Sequence, residues 1–299
     1  MLPNKAISVL KTIWHHMHQF RIFLGVTPFR VIDETSKGLV FLSARISTPL
    51  ARRGEVIAIP RDQMIFSYVR NFGQWGLEEA EFLVHAARSR KCLEKCSFQL
   101  IDLGAHAGLV SKIFLDNFRE EKTSAVLVDP LVENFHAQKH NLQKYKTRIQ
   151  FCNMALSNNS GSAEFEIDLK NIGASRLHDR EKNNEASILQ QVQTISVPDF
   201  ESKYLQNSSS IILKSDLEGF DVQAVNMFSD EVWQRIIAGV IEIDPATKLD
   251  EKDLRTLTTR LSRFNVSTDS NRSESLTPLE IESIWVQEKR TSSNLYFWV

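Results

Sequence analysis

Short apolar runs ending in polar, glycine-containing turns alternate with stretches of helical spacing through most of this chain. LIDLGAHAGLVSKIF reads as a buried strand, Leu100–Leu103, then a turn, then a helix from about Gly108. SAVLVDP is a second strand, LVENFHAQKHNLQKY a helix and IQFCNMAL a third strand. SIILKSD, FDVQAVNMF and IIAGVIEID repeat the rhythm as strand, helix and strand. Strands alternating with helices predict right-handed βαβ units and a parallel sheet. GSAEFEID and VQTISV interrupt that rhythm with extra β-structure, separated by a polar segment near Asp179–Ala186.

Both ends depart from the alternation. Ile7, Leu10, Trp14, Met17 and Leu24 fall at helical intervals and predict an amphipathic helix. Packing on the body, contact with a partner and a weak peripheral membrane contact all remain open for it. GLVFLSARI and GEVIAIPRD then predict a small sheet, and Leu77–Leu93 a helix. The expected division is an N-terminal helix and β-rich extension over 1–74, followed by one domain over 75–299. Near the C-terminal end KDLRTLTTRLSRF reads as a helix and Ser267–Ser275 as a loop. Thr277, Pro278 and Glu280 carry a helix-start pattern, and SNLYFWV an edge or reversed strand.

Composition sets outer bounds. A chain of 299 residues with 42% hydrophobic and 24% charged residues builds a sizeable core. A formal charge of -1 lacks the basic footprint of a nucleic-acid binder. Cys92, Cys96 and Cys152 have no partners at zinc spacing, and so low a count fits a reducing, cytoplasmic setting. No apolar run reaches the ~20 residues that cross a bilayer. His15, His16 and His18 point in different directions on a helix and make no metal cluster.

Two turns about a hundred residues apart carry the candidate chemistry. In a doubly wound sheet such turns gather at the carboxyl ends of the strands, where ligands bind. In the first, Asp102 interrupts the strand near its end. Gly104 suits a tight turn, and Gly108 lets the following helix approach the sheet. Amides at that helix start favour a carboxylate or phosphate. His106 stands where a dinucleotide fingerprint needs its middle glycine, which disfavours a dinucleotide. The compact turn suits S-adenosylmethionine, and Asp129, before Pro130, is placed to accept ribose hydroxyls.

In the second turn Lys214, Asp216 and Glu218 alternate in an extended segment and face one side. With the first strand beside the fourth, this cluster faces the Gly104 turn. Asp216 is the first choice for positioning a methyl acceptor or taking its proton, with Glu218 and Lys214 in support. A helix cap is the alternative for Glu218. Glu242 and Asp244 end the fifth strand. Four carboxylates around one cleft are a donor set for Mg²⁺, but no histidine or repeat spacing supports one, and no metal site is expected.

Four segments in order, DLGAHAGLVS, VDPLVENFHAQKHNL, NMALSNNSGSAEF and LKSDLEGFDVQAV, resemble the FkbM-type S-adenosylmethionine-dependent methyltransferases. GASRL from Gly173 and VIEID from Val240 resemble further family positions. The likeness covers roughly Trp75 to Asp244. His106 replaces the family's usual Asn, and Asp129 its usual Glu. The resemblance implies a Rossmann-like class I α/β fold, with a mostly parallel sheet and helices on both faces. It implies S-adenosylmethionine held by Asp102, Gly104, Ala105, His106, Gly108, Asp129, Pro130, Asn153 and Ala155. Catalysis would fall to Asp216, Glu218, Lys214 and Glu242, with O-methylation of a small molecule, sugar or glycan. Ser175 in GASRL reads as substrate-side or as an ordinary turn serine. A catalytically silent, methyltransferase-like binding module is the alternative.

Overall fold

In chain order the strands are β1 (Phe29–Glu34), β2 (Leu39–Ala44), β3 (Val56–Pro60), β4 (Phe98–Leu103), β5 (Thr123–Val128), β6 (Ile149–Cys152), β7 (Ala155–Ser157), β8 (Gly161–Asp168), β9 (Arg176–Leu177), β10 (Ser187–Ser196), β11 (Ser210–Ser215), β12 (Ile236–Ile243), β13 (Asn265–Ser267) and β14 (Ser293–Trp298). The helices are α1 (Ile65–Phe72), α2 (Leu77–Lys91), α3 (Leu109–Asn117), α4 (Val132–Asn141), α5 (Val197–Tyr204), α6 (Asp221–Met227), α7 (Asp230–Arg235) and α8 (Glu251–Leu261). The computed structural model describes residues 27–36, 38–91, 97–118, 122–178, 187–205, 209–243, 251–272, 275–278, 280–281 and 293–299. The amphipathic segment Ile7–Leu24, the histidines within it, Cys92, Cys96, the polar segment Asp179–Ala186 and Asp244 lie outside the described residues.

Seven strands form the central sheet in the order β13-β14-β12-β11-β4-β5-β6. The pairs from β12 through β6 are parallel, and β14 runs antiparallel to both its neighbours. Alternation along each strand splits the core. Leu100, Ala125, Leu127, Ile212 and Val240 join one cluster with α2, α3 and α4. Ile101, Leu103, Val126, Leu213 and Ile241 join the other, with α5, α6, α7 and α8. A period of two thus buries both faces of the sheet, as a parallel sheet requires. The chain leaves β4 toward β5 on one side, and β12 lies beyond β11 on the other. The two central strands therefore flank the topological switch point.

The three-stranded antiparallel sheet β1-β2-β3 shares the first cluster through Phe29, Leu42, Ile57 and Ile59. Asn141 ties it down. The Asn141 amide accepts from Ala58 N at 2.8 Å and donates to the carbonyls of Ala58 and Ala107, both at 2.8 Å. One buried side chain thus joins β3, α4 and the first turn. The β-rich insertion forms a third sheet, β7-β10-β8-β9. Its Phe165, Ile167 and Val192 pack on Leu131, just past β5.

Three local differences from the sequence reading have physical causes. IQFCNMAL does not continue as one strand: β6 stays in the central sheet, while Ala155–Ser157 pairs with β10. The last strand is reversed as expected, but it lies inside the sheet, covered by β13. Helices α1, α5 and α7 are only 8, 8 and 6 residues long, too short for periodicity to mark them. The Thr277 start forms its box: Thr277 N donates to Glu280 Oε2 at 2.7 Å, and Glu280 N donates back to Thr277 Oγ1 at 3.4 Å. Among the described residues no helix is long and apolar enough to cross a membrane.

Candidate active site

The two turns meet backbone to backbone. Gly104 has φ 69°, and a Cβ there would stand 1.7 Å from the carbonyl oxygen of Asp216. The close approach that glycine permits is made by the second turn rather than by a ligand. Lys214, buried at the end of β11, bridges the same junction. Its ammonium donates to Gly104 O at 2.8 Å and to Asp216 Oδ2 at 3.1 Å, and lies 3.6 Å from Asp102 Oδ1. Burial alone would lower its pKa, but the Asp216 and Asp102 carboxylates outweigh it and hold the lysine above its usual value. Lys214 is a permanent cation that locks the two turns together, not a proton acceptor.

Below the turn, Asp102 is fully buried and accepts from Ser111 Oγ at 2.6 Å. Burial pushes its pKa up against the pull of Lys214. The amides of Gly104 and Ala105 both donate to Val128 O at 3.0 Å, and that of Gly108 to Ala105 O at 2.7 Å. His106 N donates to Asp129 Oδ2 at 2.9 Å. These four amides build the turn and are spent on it. A Cβ at Gly108 would stand 3.1 Å from both Leu127 and Leu142, so that glycine does set the close packing of α3.

His106 holds a left-handed backbone, φ 45°, while Gln138 Nε2 donates to its carbonyl at 2.7 Å. His106 lines the cavity described below, and both ring nitrogens are shielded from solvent with no hydrogen-bond partner among the described residues. Burial, reinforced by Lys214, lowers its pKa to about 4, so the imidazole is neutral at physiological pH. A neutral ring offers one donor and one acceptor. Asp129 accepts from Leu131 N at 3.0 Å and Asn134 Nδ2 at 2.9 Å on Oδ1, besides His106 N on Oδ2. Burial raises its pKa to about 7. With two acceptor sites per oxygen, one on Oδ2 is left for a further donor.

The second turn is shaped by a residue the sequence reading did not single out. Asp221, buried at the start of α6, accepts from Ser215 Oγ at 2.6 Å, Leu217 N at 2.9 Å and Gly219 N at 3.4 Å. Burial, then repulsion from Asp216, lifts its pKa to about 6. Asp221, and not Glu218, is the side chain that closes the turn at the start of this helix. An acid in the first helical turn after a glycine was the available signal. Glu218 instead sits at φ 52°. Its carboxylate and those of Asp216 and Glu242 bring oxygens within 4.8 Å of one another. Burial would raise the Asp216 pKa, but Lys214 and a hydrogen bond with Glu242 hold it below the ordinary value. Burial and the Asp216 charge push Glu242 up. The pair therefore shares one proton: Asp216 is ionised and Glu242 protonated.

These groups open onto a cavity of about 1410 Å³. Of the residues the sequence suggested, Gly104, Ala105, His106, Asp129, Pro130, Ala155, Lys214, Asp216, Glu218 and Glu242 line it. Asp102, Gly108 and Asn153 do not. They act from behind the wall, Asn153 Nδ2 donating to Asp129 O at 2.9 Å. Ser175 lines the cavity, and its hydroxyl accepts from Asp168 N at 3.2 Å. Beyond GASRL, the sequence reading missed the lateral walls: Met64, Ile65 and Tyr68 at α1, Gln74–Glu79 at the start of α2, and Asn171 and His178 of the insertion.

No family model matches this sequence, and no curated protein matches it significantly. Solved structures of similar shape include methyltransferase FkbM from Methylobacillus flagellatus KT, at 15% identity and TM-score 0.40. That alignment covers 68% of this chain and 44% of the other, so the chain spans less than half the length of that relative. A precorrin-6y C5,15-methyltransferase from Geobacter metallireducens GS-15 aligns at 8% identity and TM-score 0.35, over 74% of this chain and 88% of its own. A SAM-dependent methyltransferase from Agrobacterium tumefaciens aligns at 8% identity and TM-score 0.38, over 91% and 76%. The chain's own strand order and the helices on both faces of its mostly parallel sheet make it a Rossmann-like α/β fold.

Proposed function

We propose that this chain is an S-adenosylmethionine-dependent methyltransferase that methylates a hydroxyl of a small molecule, sugar or glycan. One observation carries the reading. Lys214 joins the Gly104 turn to Asp216, so two turns about a hundred residues apart form one wall of one cavity at the switch point of the sheet. The cavity exceeds the roughly 300–1,000 Å³ of an ordinary ligand pocket and leaves room for a cofactor and an acceptor together.

The residues present fit the cofactor. His106 lines the cavity, and its two ring nitrogens have no partner among the described residues, which leaves one donor and one acceptor for a ligand. The remaining acceptor site on Asp129 Oδ2 suits a ribose hydroxyl. When bound, S-adenosylmethionine supplies a methyl group on a sulfonium. The chain supplies orientation and proton handling. Asp216, ionised and fixed by Lys214, accepts a hydrogen bond from the acceptor hydroxyl and turns the oxygen lone pair outward. Its lowered pKa makes it a weak base toward a neutral alcohol. The hydroxyl becomes strongly acidic as its oxygen gains a third bond, and a weak base suffices then. Glu242, already protonated, keeps a second negative charge away from the oxygen.

A catalytically silent binding module is the second reading. It is favoured by the four turn amides spent within the protein and by the three protein donors already on Asp129. A labelled-methyl transfer screen separates the two, run with S-adenosylmethionine across glycan, lipid and small-metabolite fractions. Transfer by the wild type that fails in Asp216→Asn supports the enzyme. No transfer to any fraction, with the cofactor nevertheless bound, supports the silent module.

A further inference from the structure

The β8–β9 hairpin lines the same cavity through Asn171, Arg176 and His178, each of which has a polar atom without a hydrogen-bond partner among the described residues. Oδ1 of Asn171 and Nδ1 of His178 are shielded from solvent and make no hydrogen bond. So is Nε of Arg176, which stands 3.5 Å from Oε2 of Glu166, its one charged partner among the described residues. The hairpin is built to hold these groups. Asp168 Oδ1 accepts from Lys170 N at 2.8 Å and Asn171 N at 3.0 Å, which closes the turn. His178 N donates to Glu164 O at 2.9 Å, and Arg176 pairs across the ladder with Glu166. Gly173 brings the hairpin close to α1: a Cβ would stand 2.7 Å from Ile65 Cδ1 and 3.2 Å from Asn171 Oδ1.

Charge divides the cavity. The wall of the two turns carries the carboxylates of Asp216 and Glu218 beside the protonated Glu242, and its lysine is committed to the junction. The hairpin wall carries the guanidinium of Arg176. An anion is repelled by the first wall and held by the second. Glu166 is almost fully buried and engages one edge of the guanidinium. It also accepts from Ser187 Oγ at 2.8 Å, which fixes its own orientation. Arg176 is thus drawn toward Glu166 on one edge while 30% of its side chain stays accessible. A guanidinium recognises a phosphate or carboxylate through paired N–H groups. Asn171 Oδ1 can take only a donor, which a hydroxyl supplies.

We infer that the β8–β9 hairpin is the acceptor subsite, and that the acceptor is an anionic polyol, a sugar phosphate or sugar acid, gripped at its anionic group by Arg176 and at a hydroxyl by Asn171. The inference rests on the methyltransferase reading for the word acceptor, but the subsite stands on its own geometry. It puts the anion away from Asp216 and leaves a hydroxyl of the same molecule for the turn wall.

Calorimetric titration of the full chain with glucose 6-phosphate, glucuronate and glucose tests it, with S-adenosylmethionine titrated separately. At least one anionic probe should bind about 10–100-fold more tightly than glucose, the value of one charge-assisted contact. Arg176→Gln should abolish that preference. Arg176→Gln alone strands the Glu166 carboxylate in the interior, so Glu166→Gln/Arg176→Gln, which leaves a neutral pair, is measured beside it with a thermal melt. Equal binding of all three sugars overturns the subsite, as does a preference that survives in the folded double variant. An Arg176-dependent preference without S-adenosylmethionine binding keeps the subsite and removes the methyltransferase reading. Cofactor binding without the preference does the reverse.

Discussion

Gly104 and Gly54 both hold left-handed backbones, φ 69° and 84°, but only Gly104 has another chain segment against it. Nothing lies within 4 Å of a Cβ at Gly54. Gly54→Ala therefore isolates the backbone cost, about 1–2 kcal/mol. Gly104→Ala adds the collision with Asp216 O and should cost at least about 2 kcal/mol more in urea denaturation. Equal losses would mean that the two turns are not in contact. Asp216→Asn keeps shape and removes charge; turnover should fall about 10²–10⁴-fold while cofactor affinity changes little. Near-normal turnover would move the proton-handling role to Glu242. Asp221 offers a test by pH. Its folded pKa, about 6, lies above the ordinary 3.8, so the folded state binds its proton more tightly than the unfolded chain does. The stability it supplies is full below pH 3.8 and is lost as pH rises through about 6. The wild type should lose ground to Asp221→Asn over that window by about 1.4 kcal/mol per pH unit, roughly 3 kcal/mol in all. A pH-independent difference would contradict the buried, proton-holding Asp221. At this level the sequence marked Lys214, Asp216 and Glu218 through their alternation, but it could not tell a bridging lysine from a reactive one. That distinction depends on Gly104 O, which lies 110 positions away.

Strands β4, β5, β11 and β12 were readable because apolar runs between turn signals have one stable use in an α/β chain, burial on both faces. The walls around the site were not. Helix α1 buries only Ile65 and Val69, and its eight residues are fewer than the window in which periodicity marks a helix, yet it lines the cavity. β7 and β9 are three and two residues long and exist because β8 and β10 bring partners to them. The docking of β1–β3 depends on Asn141, one polar residue near the end of a helix, and local pattern does not reveal such a staple. Asn141→Ala leaves Ala58 N and two carbonyls without their partner at a buried site. It should cost about 2–4 kcal/mol in chemical denaturation. A loss below about 1 kcal/mol would show that apolar contacts alone hold the extension.

The whole molecule places chemistry where its topology changes direction. Two apolar clusters clasp the central sheet, and the strands that carry the two turns are its middle pair. That pairing could be foreseen, because the first and fourth strands of such a chain flank the switch point. The insertion, α1 and the start of α2 then line the space above it, and beyond GASRL no residue pattern announces that lining. The account requires S-adenosylmethionine to enter this space, next to His106 and Asp129. Isothermal titration of the full chain with S-adenosylmethionine tests that most directly, with Gly104→Val and Asp129→Ala measured alongside. The account predicts one site per chain, blocked in Gly104→Val and weakened by about 1.5–3 kcal/mol in Asp129→Ala. Absence of binding to the wild type, or unchanged affinity in both variants, would contradict it.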